Sequence, residues 1–160
     1  MFSGQRVERA ERSILLSAAR SELFNAVLAA RVADGSWQRA LDGDVFQLDG
    51  RSAIFGPEPI SDELRDRVVR GDIHPTGPMF GRGELRSTDS ARALESAVFD
   101  AHPELCAGLV AAGLDQERRA LRLMARDFRC DFDGPDLVAR FSLPAGAYAT
   151  TVLREVVAWA

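Results

Sequence analysis

The sequence predicts an α+β fold, and three observations lead to that class. One long segment and several shorter ones carry apolar residues at helical spacing. Two pairs of short β-type runs are each joined by a turn that contains Asp-Gly. The fractions of apolar and charged residues, 46% and 28%, are typical of a globular protein, and 160 residues suffice for one domain with a core.

Helical spacing and end signals together predict the helices. Gly35 supplies a stop after the first one, Ser61 is a typical N-cap, and Pro103 suits a first helical position because its missing N–H would have had no partner. Predicted helices cover residues 8–33, 61–71, 89–101, 103–112 and 147–159, and Asp115 opens a short one that carries Arg118, Arg119 and Arg122.

The β-type runs form two predicted hairpins, with strands at 44–48 and 51–55 and at 126–132 and 137–143. In the third run, apolar residues at every second position alternate with charged ones, so one face of that strand should be buried. These apolar residues are Phe128, Cys130 and Phe132.

Between the two hairpins, the segment from Asp72 to Arg86 is rich in proline and glycine. Pro75, Gly77 and Pro78 predict an irregular loop there. A loop of this length inside a compact domain is expected to be functional or mobile.

Side-chain chemistry alone indicates no complete active site. His102 and Cys106 are four residues apart, a spacing that suits two metal ligands, but no third ligand follows and a buried thiol is the more common explanation. We therefore predict no metal site. His74 stands alone as a titrating group, and no nucleophile has a base beside it in the sequence.

The charge composition leaves the class of partner open. A net charge of −4 argues against a simple electrostatic binder of nucleic acid. All 20 basic residues are arginines, and an arginine face can still bind phosphate and stack on bases, although a compositional bias alone explains the absence of lysine equally well. Apolar runs are too short to span a bilayer and the first residues do not resemble a leader, so we expect a cytoplasmic protein without a membrane partner.

Five segments resemble the TruD family of RNA pseudouridine synthases, in the family's order. Residues 12–25 resemble the helix that begins its inserted domain, and 43–50 and 72–81 resemble that domain's hairpin and long loop. Residues 141–155 resemble the strand-turn-helix that closes the family's catalytic domain. Residues 118–123 resemble the segment that leads into it. The resemblance covers nearly the whole chain.

The resemblance implies a mainly helical inserted domain with a small hairpin at residues 7–120, followed by the C-terminal part of the catalytic domain at 121–160. It implies isomerisation of uridine to pseudouridine in tRNA, at position thirteen in bacteria, without a metal or an organic cofactor. The target base must leave the stack to be reached.

The family's catalytic aspartate lies in an N-terminal motif that has no counterpart in this sequence. Asp44, Asp115, Asp127 and Asp131 are poor substitutes because they fall in segments that match other parts of the family. We therefore predict that the chain alone is inactive. An unpaired sheet edge would make it self-associate or require an N-terminal half.

The resemblance also suggests residues for the site. Arg154 and Tyr148 would form one wall of the active site, although Arg154 could equally pair with Glu155, and packing in the core is the more common role for Tyr148. The candidate phosphate contacts are Arg12, Arg20, Arg118, Arg119 and Arg126. Two interpretations stay open: part of a pseudouridine synthase, or a free-standing RNA-binding or assembly module without catalysis.

Overall fold

The computed structural model describes residues 9–145 and 147–157. Its chain divides into two compact units, Met1–Arg122 and Leu123–Ala160, which we describe one at a time. Five α-helices and two antiparallel sheets confirm the α+β class within the described residues. Which unit corresponds to the inserted domain and which to the catalytic domain stays a prediction.

The helices of the first unit begin and end near the predicted residues. Ser61 caps α2, since its hydroxyl accepts a hydrogen bond from the Leu64 backbone N–H at 3.1 Å. Gly71 ends that helix in the left-handed conformation, with φ 79°. The helices are α1 Arg9–Ala33, α2 Asp62–Arg70, α3 Asp89–Asp100 and α4 Pro103–Ala111, with a 3-10 turn at Ser36–Gln38.

A four-stranded sheet lies among these helices, with strand order β2-β1-β3-β4. All three of its strand pairs are antiparallel, with Phe46 opposite Pro75 and Gly77 opposite Arg119. Its strands are β1 Phe46–Leu48, β2 Ile54–Phe55, β3 Ile73–Met79 and β4 Glu117–Ala120.

The prediction of an irregular loop at 72–86 is wrong for its first half, because β3 is a central strand with every residue buried. Gly77 serves close packing here and not a turn. A Cβ at this position would lie 2.9 Å from the Leu121 side chain and 3.1 Å from the Phe24 ring. Pro75 has no N–H to donate, but its carbonyl accepts a hydrogen bond from the Leu121 backbone N–H at 2.9 Å.

The predicted short helix at Asp115 is also wrong, because this segment forms β4 against β3. Its residues alternate between exposed and partly buried, which is a strand pattern that four residues are too few to reveal. Arg118 and Arg119 consequently point to opposite faces of the sheet.

Three groups of buried side chains form the core of the first unit. One joins α1, α3 and α4, the second joins the sheet to α2, and the third joins α1 to β3 and the chain after β4. Their buried members are Leu23, Val27, Phe99 and Leu109; Phe46, Leu64, Val68 and Ile73; and Phe24, Met79 and Leu121.

α1 combines great length with an apolar composition. In the described part of the chain it is the one helix long and apolar enough to cross a membrane, with a mean hydropathy of 1.2 in its best window, judged by length and composition only. The same helix supplies Leu23, Phe24 and Val27 to the core. The expectation of no membrane partner, which came from consecutive apolar runs, stays a prediction.

The second unit is a hairpin of β5 Arg126–Asp133 and β6 Asp136–Ser142, followed by α5 Ala149–Val156. The hairpin is confirmed, but the prediction that one face of β5 is buried is wrong. All eight residues of β5 are exposed, and Phe132 is 78% exposed. A two-stranded sheet cannot cover its own face, and α5 has no buried residue with which to build a second layer. Residues 158 and 159 of the predicted last helix lie outside the described residues.

Candidate RNA-binding and active-site residues

Arg119 has the placement expected of a phosphate contact. It lies on the exposed face of β4, and its guanidinium carbon is 5.6 Å from the centre of the Phe24 ring. The aromatic face attracts the cation and holds it in place without using its N–H groups. In the described residues those groups have no hydrogen-bond acceptor, so they are available to a ligand.

Arg12 and Arg126 are exposed as well. Arg12 lies near the start of α1, and its side chain contacts no carboxylate of the described chain. Arg126 opens β5 in the second unit. Their exposure is compatible with phosphate binding, and their role stays a prediction.

Arg20 is engaged inside the first unit. Its side chain is only 14% exposed, and Nη2 donates to the Met79 carbonyl at 3.0 Å and the Asp115 carbonyl at 3.1 Å. The same nitrogen lies 3.3 Å from a carboxylate oxygen of Glu117. Arg20 therefore fastens α1 to β3 and β4, and the placement gives no support to a phosphate contact.

Arg118 is buried, with a side chain that is 3% exposed. Its Nη2 lies 2.6 Å from Oε1 of Glu95, whose side chain is 2% exposed, and its Nε donates to Thr76 Oγ1 at 2.7 Å. The Ser87 hydroxyl donates to the same carboxylate at 2.5 Å. This network satisfies both buried charges, so Arg118 has a structural environment and its placement does not support a contact with RNA.

The two predicted wall residues lie at the start and in the last turn of α5. Tyr148 is the N-cap residue and is 74% exposed, so it is not packed in a core of the described chain, and its role stays a prediction. Arg154 is exposed, and the described residues show no ion pair between it and Glu155. Both side chains are accessible from solvent.

The aspartates that we judged poor nucleophiles differ in their surroundings. Asp44 is 1% exposed and accepts both Nη groups of Arg31, at 2.8 and 2.9 Å. Asp115 pairs with Arg82, while Asp131 lies near an arginine of the facing strand. Asp127 is exposed at a bulge with φ 54°. A nucleophilic aspartate must reach the target nucleobase, and the buried ion pair with Arg31 prevents this for Asp44.

Sequence reasoning treated His74 as isolated, and the structure shows otherwise. His74 is 4% exposed; its Nε2 lies 2.8 Å from Oδ1 of Asp49 and its Nδ1 lies 3.0 Å from Nε of Arg122. Burial lowers the pKa of His74, and the neighbouring charge of Arg122 lowers it further. No local spacing could reveal this contact, because Arg122 is 48 residues away in sequence.

His102 and Cys106 each contact a backbone carbonyl of α3. The His102 ring bonds to the Val98 carbonyl at 2.8 Å, and the thiol contacts the Phe99 carbonyl at 3.8 Å. Burial raises the pKa of the Cys106 thiol, as does the charge of Asp100. Among the described residues, no group of three histidines, cysteines or carboxylates could hold an ion.

Two open cavities of the first unit, of ≈ 430 and ≈ 450 Å³, are lined by residues other than the predicted ones. The first has Arg39, Asp42 and Arg65 at its wall, and the second lies beside Phe99 and Cys106. None of the five arginines predicted to contact phosphate lines either cavity.

The model of the family described as tRNA pseudouridine synthase D (TruD) matches residues 3–156. This chain belongs to the TruD family. The match extends over both units, which agrees with a resemblance that covers nearly the whole sequence.

Curated relatives and a solved structure agree with this assignment. Proteins named tRNA pseudouridine synthase D from Xanthomonas axonopodis and Aeromonas hydrophila are 52% and 43% identical, over 96% and 98% of this chain. A crystal structure of a candidate TruD protein from Methanosarcina mazei has a TM-score of 0.64 at 25% identity, over 85% of this chain and 36% of that one. The chain spans less than half the length of these TruD relatives, 42% and 45%.

Proposed function

We propose that this chain is part of a tRNA pseudouridine synthase that isomerises uridine to pseudouridine in cytoplasmic tRNA, at position thirteen, without a metal or an organic cofactor. The observation that carries this proposal is the match of the TruD family model to residues 3–156. Two supporting facts are the identity of about half to the Xanthomonas relatives and the names that those relatives carry.

We assign residues 7–120 to the inserted domain and tRNA binding, and 121–160 to the catalytic domain. The exposed Arg119 supports the first assignment, since its guanidinium is held over Phe24 with its N–H groups in solvent. Tyr148, at 74% exposure, can stack on a base that has left the helix. Arg154 would keep a neighbouring nucleophilic carboxylate ionised.

The nucleophile, in this proposal, comes from a segment outside these 160 residues. The buried pair of Asp44 with Arg31 supports this, as does the exposed pair of Asp115 with Arg82. That segment would dock on the apolar face of the hairpin, where Phe128, Phe132 and Leu137 are 41%, 78% and 43% exposed. The relatives are longer than this chain, which is consistent with such a segment being present in them.

A complementation assay tests the activity. The purified chain is incubated with unmodified tRNA, alone or with the part of the Xanthomonas axonopodis relative that it does not match, and pseudouridine is mapped by carbodiimide labelling and primer extension. We expect modification only in the mixture. Pseudouridine formed by the chain alone would overturn the missing nucleophile, and none in the mixture despite complex formation would overturn the proposed function.

A binding measurement tests the arginine face. Arg119→Ala should weaken tRNA binding at low salt and reduce the slope of log K against log salt by about one, because one phosphate contact is lost. Arg65→Ala is the matched control, since Arg65 is also exposed but pairs with Asp62. Equal effects of the two substitutions would mean that Arg119 acts only through general charge.

A further inference from the structure

The chain leaves the first unit at Arg122, the last residue before the division. Its guanidinium does not point into solvent. Nη2 donates to the backbone carbonyls of Val68 and Ile73, the latter at 3.2 Å, and Nη1 reaches the carbonyl of Gln38 at 3.4 Å. One side chain thus contacts the end of α2, the start of β3 and the 3-10 turn.

His74 completes this arrangement from the middle of the sheet. Nε of Arg122 donates a hydrogen bond to Nδ1 of His74, so that ring nitrogen must carry a lone pair. The other nitrogen, Nε2, then holds the proton and donates it to Asp49 Oδ1 at 2.8 Å. The geometry requires a neutral ring in one tautomer, between a carboxylate and a guanidinium.

The residues after Arg122 have a different environment. Leu123 and Met124 are 42% and 41% exposed, and regular structure resumes only at Arg126. Of the backbone hydrogen bonds found outside helices and strands in the described chain, none involves Leu123, Met124 or Ala125. Arg122 therefore separates a segment fixed on several sides from one with few constraints.

We propose that Arg122 is a positioning residue, a junction anchor locked by neutral His74 and Asp49, which fixes the chain up to Arg122 and leaves Leu123–Ala125 as the mobile segment that follows. The inference goes beyond the proposed function and does not depend on it, since it concerns how the chain is fixed and not what it modifies.

Protonation of His74 should release the anchor. A proton on Nδ1 removes the acceptor of Arg122 and places two cations side by side. Two charged groups face the ring in the described structure: Asp49 from the end of β1, which favours protonation, and Arg122, which opposes it. The elements around Arg122 contribute neutral carbonyls of Val68, Ile73 and Gln38.

The sign of the pH effect follows from these contacts. Because burial and Arg122 lower the pKa of His74 in the folded chain, the neutral ring stabilises the fold fully above pH 6.5, the pKa of the free side chain. That contribution decreases as the pH falls below 6.5 towards the lower folded pKa. The anchor should therefore hold at neutral pH and open in acid.

NMR of the intact 160-residue chain provides the test. At pH 7.5, the ring nitrogen shifts should show the Nε2–H tautomer of His74, and amide relaxation should show mobility beginning at Leu123. Arg122→Lys, which cannot fork to several carbonyls, should move this onset to Leu121 and accelerate amide exchange there on the order of tenfold. Arg119→Lys, three residues earlier on β4 and exposed, is the matched control and should change neither.

His74→Gln separates an anchor from a merely structural contact. The glutamine amide can accept from Arg122 and donate to Asp49, but it does not titrate. In the parent chain the onset of mobility should move to Leu121 as His74 titrates; in the glutamine variant it should stay at Leu123 throughout. The opposite tautomer of His74, an unchanged onset in Arg122→Lys, or an onset in the parent chain that ignores His74 titration would each overturn the proposal.

Discussion

The two units differ in how deeply the residues of their strands are buried. In the first unit, β3 is buried along its whole length and Phe46 of β1 is 0% exposed, between α2 and the sheet. In the second, β5 is exposed along its whole length and Phe132 is 78% exposed. The clear apolar alternation lies in β5, yet only the strands of the first unit have a second layer of structure to cover them.

The same contrast holds for charge. The first unit contains ion pairs with almost no exposure, Arg31–Asp44 and Arg118–Glu95, each completed by further hydrogen bonds. In the second unit the pair between Arg140 and Asp131 spans 3.8 Å and both side chains are about 70% exposed. The first unit thus covers its own apolar strand residues, while the hairpin has one apolar face without a core to cover it. The lesson is that the apolar pattern marks a buried face but not what buries it.

Truncating one phenylalanine in each unit should give the largest difference in unfolding free energy between the two units. Phe46→Ala is expected to lower the free energy of unfolding by about 3–5 kcal/mol, because it leaves a cavity in a fully packed site. Phe132→Ala should change it by less than about 0.5 kcal/mol, as for other exposed positions. Urea unfolding followed by Trp37 fluorescence in a Trp159→Phe background measures the first unit for Phe46→Ala, and unfolding followed by far-UV circular dichroism measures the whole chain for Phe132→Ala.

Phe132→Ala has a second expected result. If the exposed face promotes self-association, the variant should shift the chain towards monomer in sedimentation velocity. A large loss of stability in the isolated Phe132→Ala chain would show that the hairpin already has a packed partner in the free protein. The proposed difference between the units would then be wrong.

The neighbours Arg118 and Arg119 make the same comparison within one strand. Arg118→Ala leaves Glu95 buried without its partner and should cost about 3–5 kcal/mol of unfolding free energy. Arg119→Ala removes an exposed cation over Phe24 and should cost less than about 1 kcal/mol. The pair of substitutions is matched in chemistry and differs in the face of β4.

Replacing both buried partners checks the reason for that cost. In Arg118→Leu with Glu95→Leu, neither charge is stranded, so the double variant should be more stable than Arg118→Ala. Equal instability of the two would mean that the hydrogen bonds to Thr76 and Ser87, and not the stranded carboxylate, dominate the loss.

How far the sequence predicts this fold depends on whether a signal is local. The N-cap at Ser61, the stop at Gly71 and the hairpin turn at Gly134 are local, and all were predicted within a few residues of the observed elements. β3 was missed because proline and glycine usually mark loops. Here the glycine is required by the nearness of Phe24 and Leu121, which the chain brings together from distant positions.

The candidate site shows the same limit. Arg118 and Arg119 are adjacent and identical in type, so no composition or charge argument could assign one to the core and the other to the surface. Only their alternation along β4 does so, and the segment was predicted as a helix. The Asp49–His74–Arg122 contact likewise joins three segments far apart in sequence. Local patterns predicted element ends well and side-chain partners poorly.

The smallest effect concerns helix caps, where the units again differ. Ser61 caps α2 through its hydroxyl, whereas Tyr148 at the start of α5 offers no side-chain cap. Ser61→Ala should lower the unfolding free energy of the first unit by about 1 kcal/mol, because the Leu64 N–H loses its acceptor. Ser52→Ala, at an exposed position before β2, is the control and should be neutral within about 0.5 kcal/mol. If Ser61→Ala were as mild as Ser52→Ala, packing of Leu64 and Val68 would alone determine where α2 begins.

In the second unit, Tyr148→Ser should increase the helical circular dichroism of the chain, since it supplies the cap that α5 lacks.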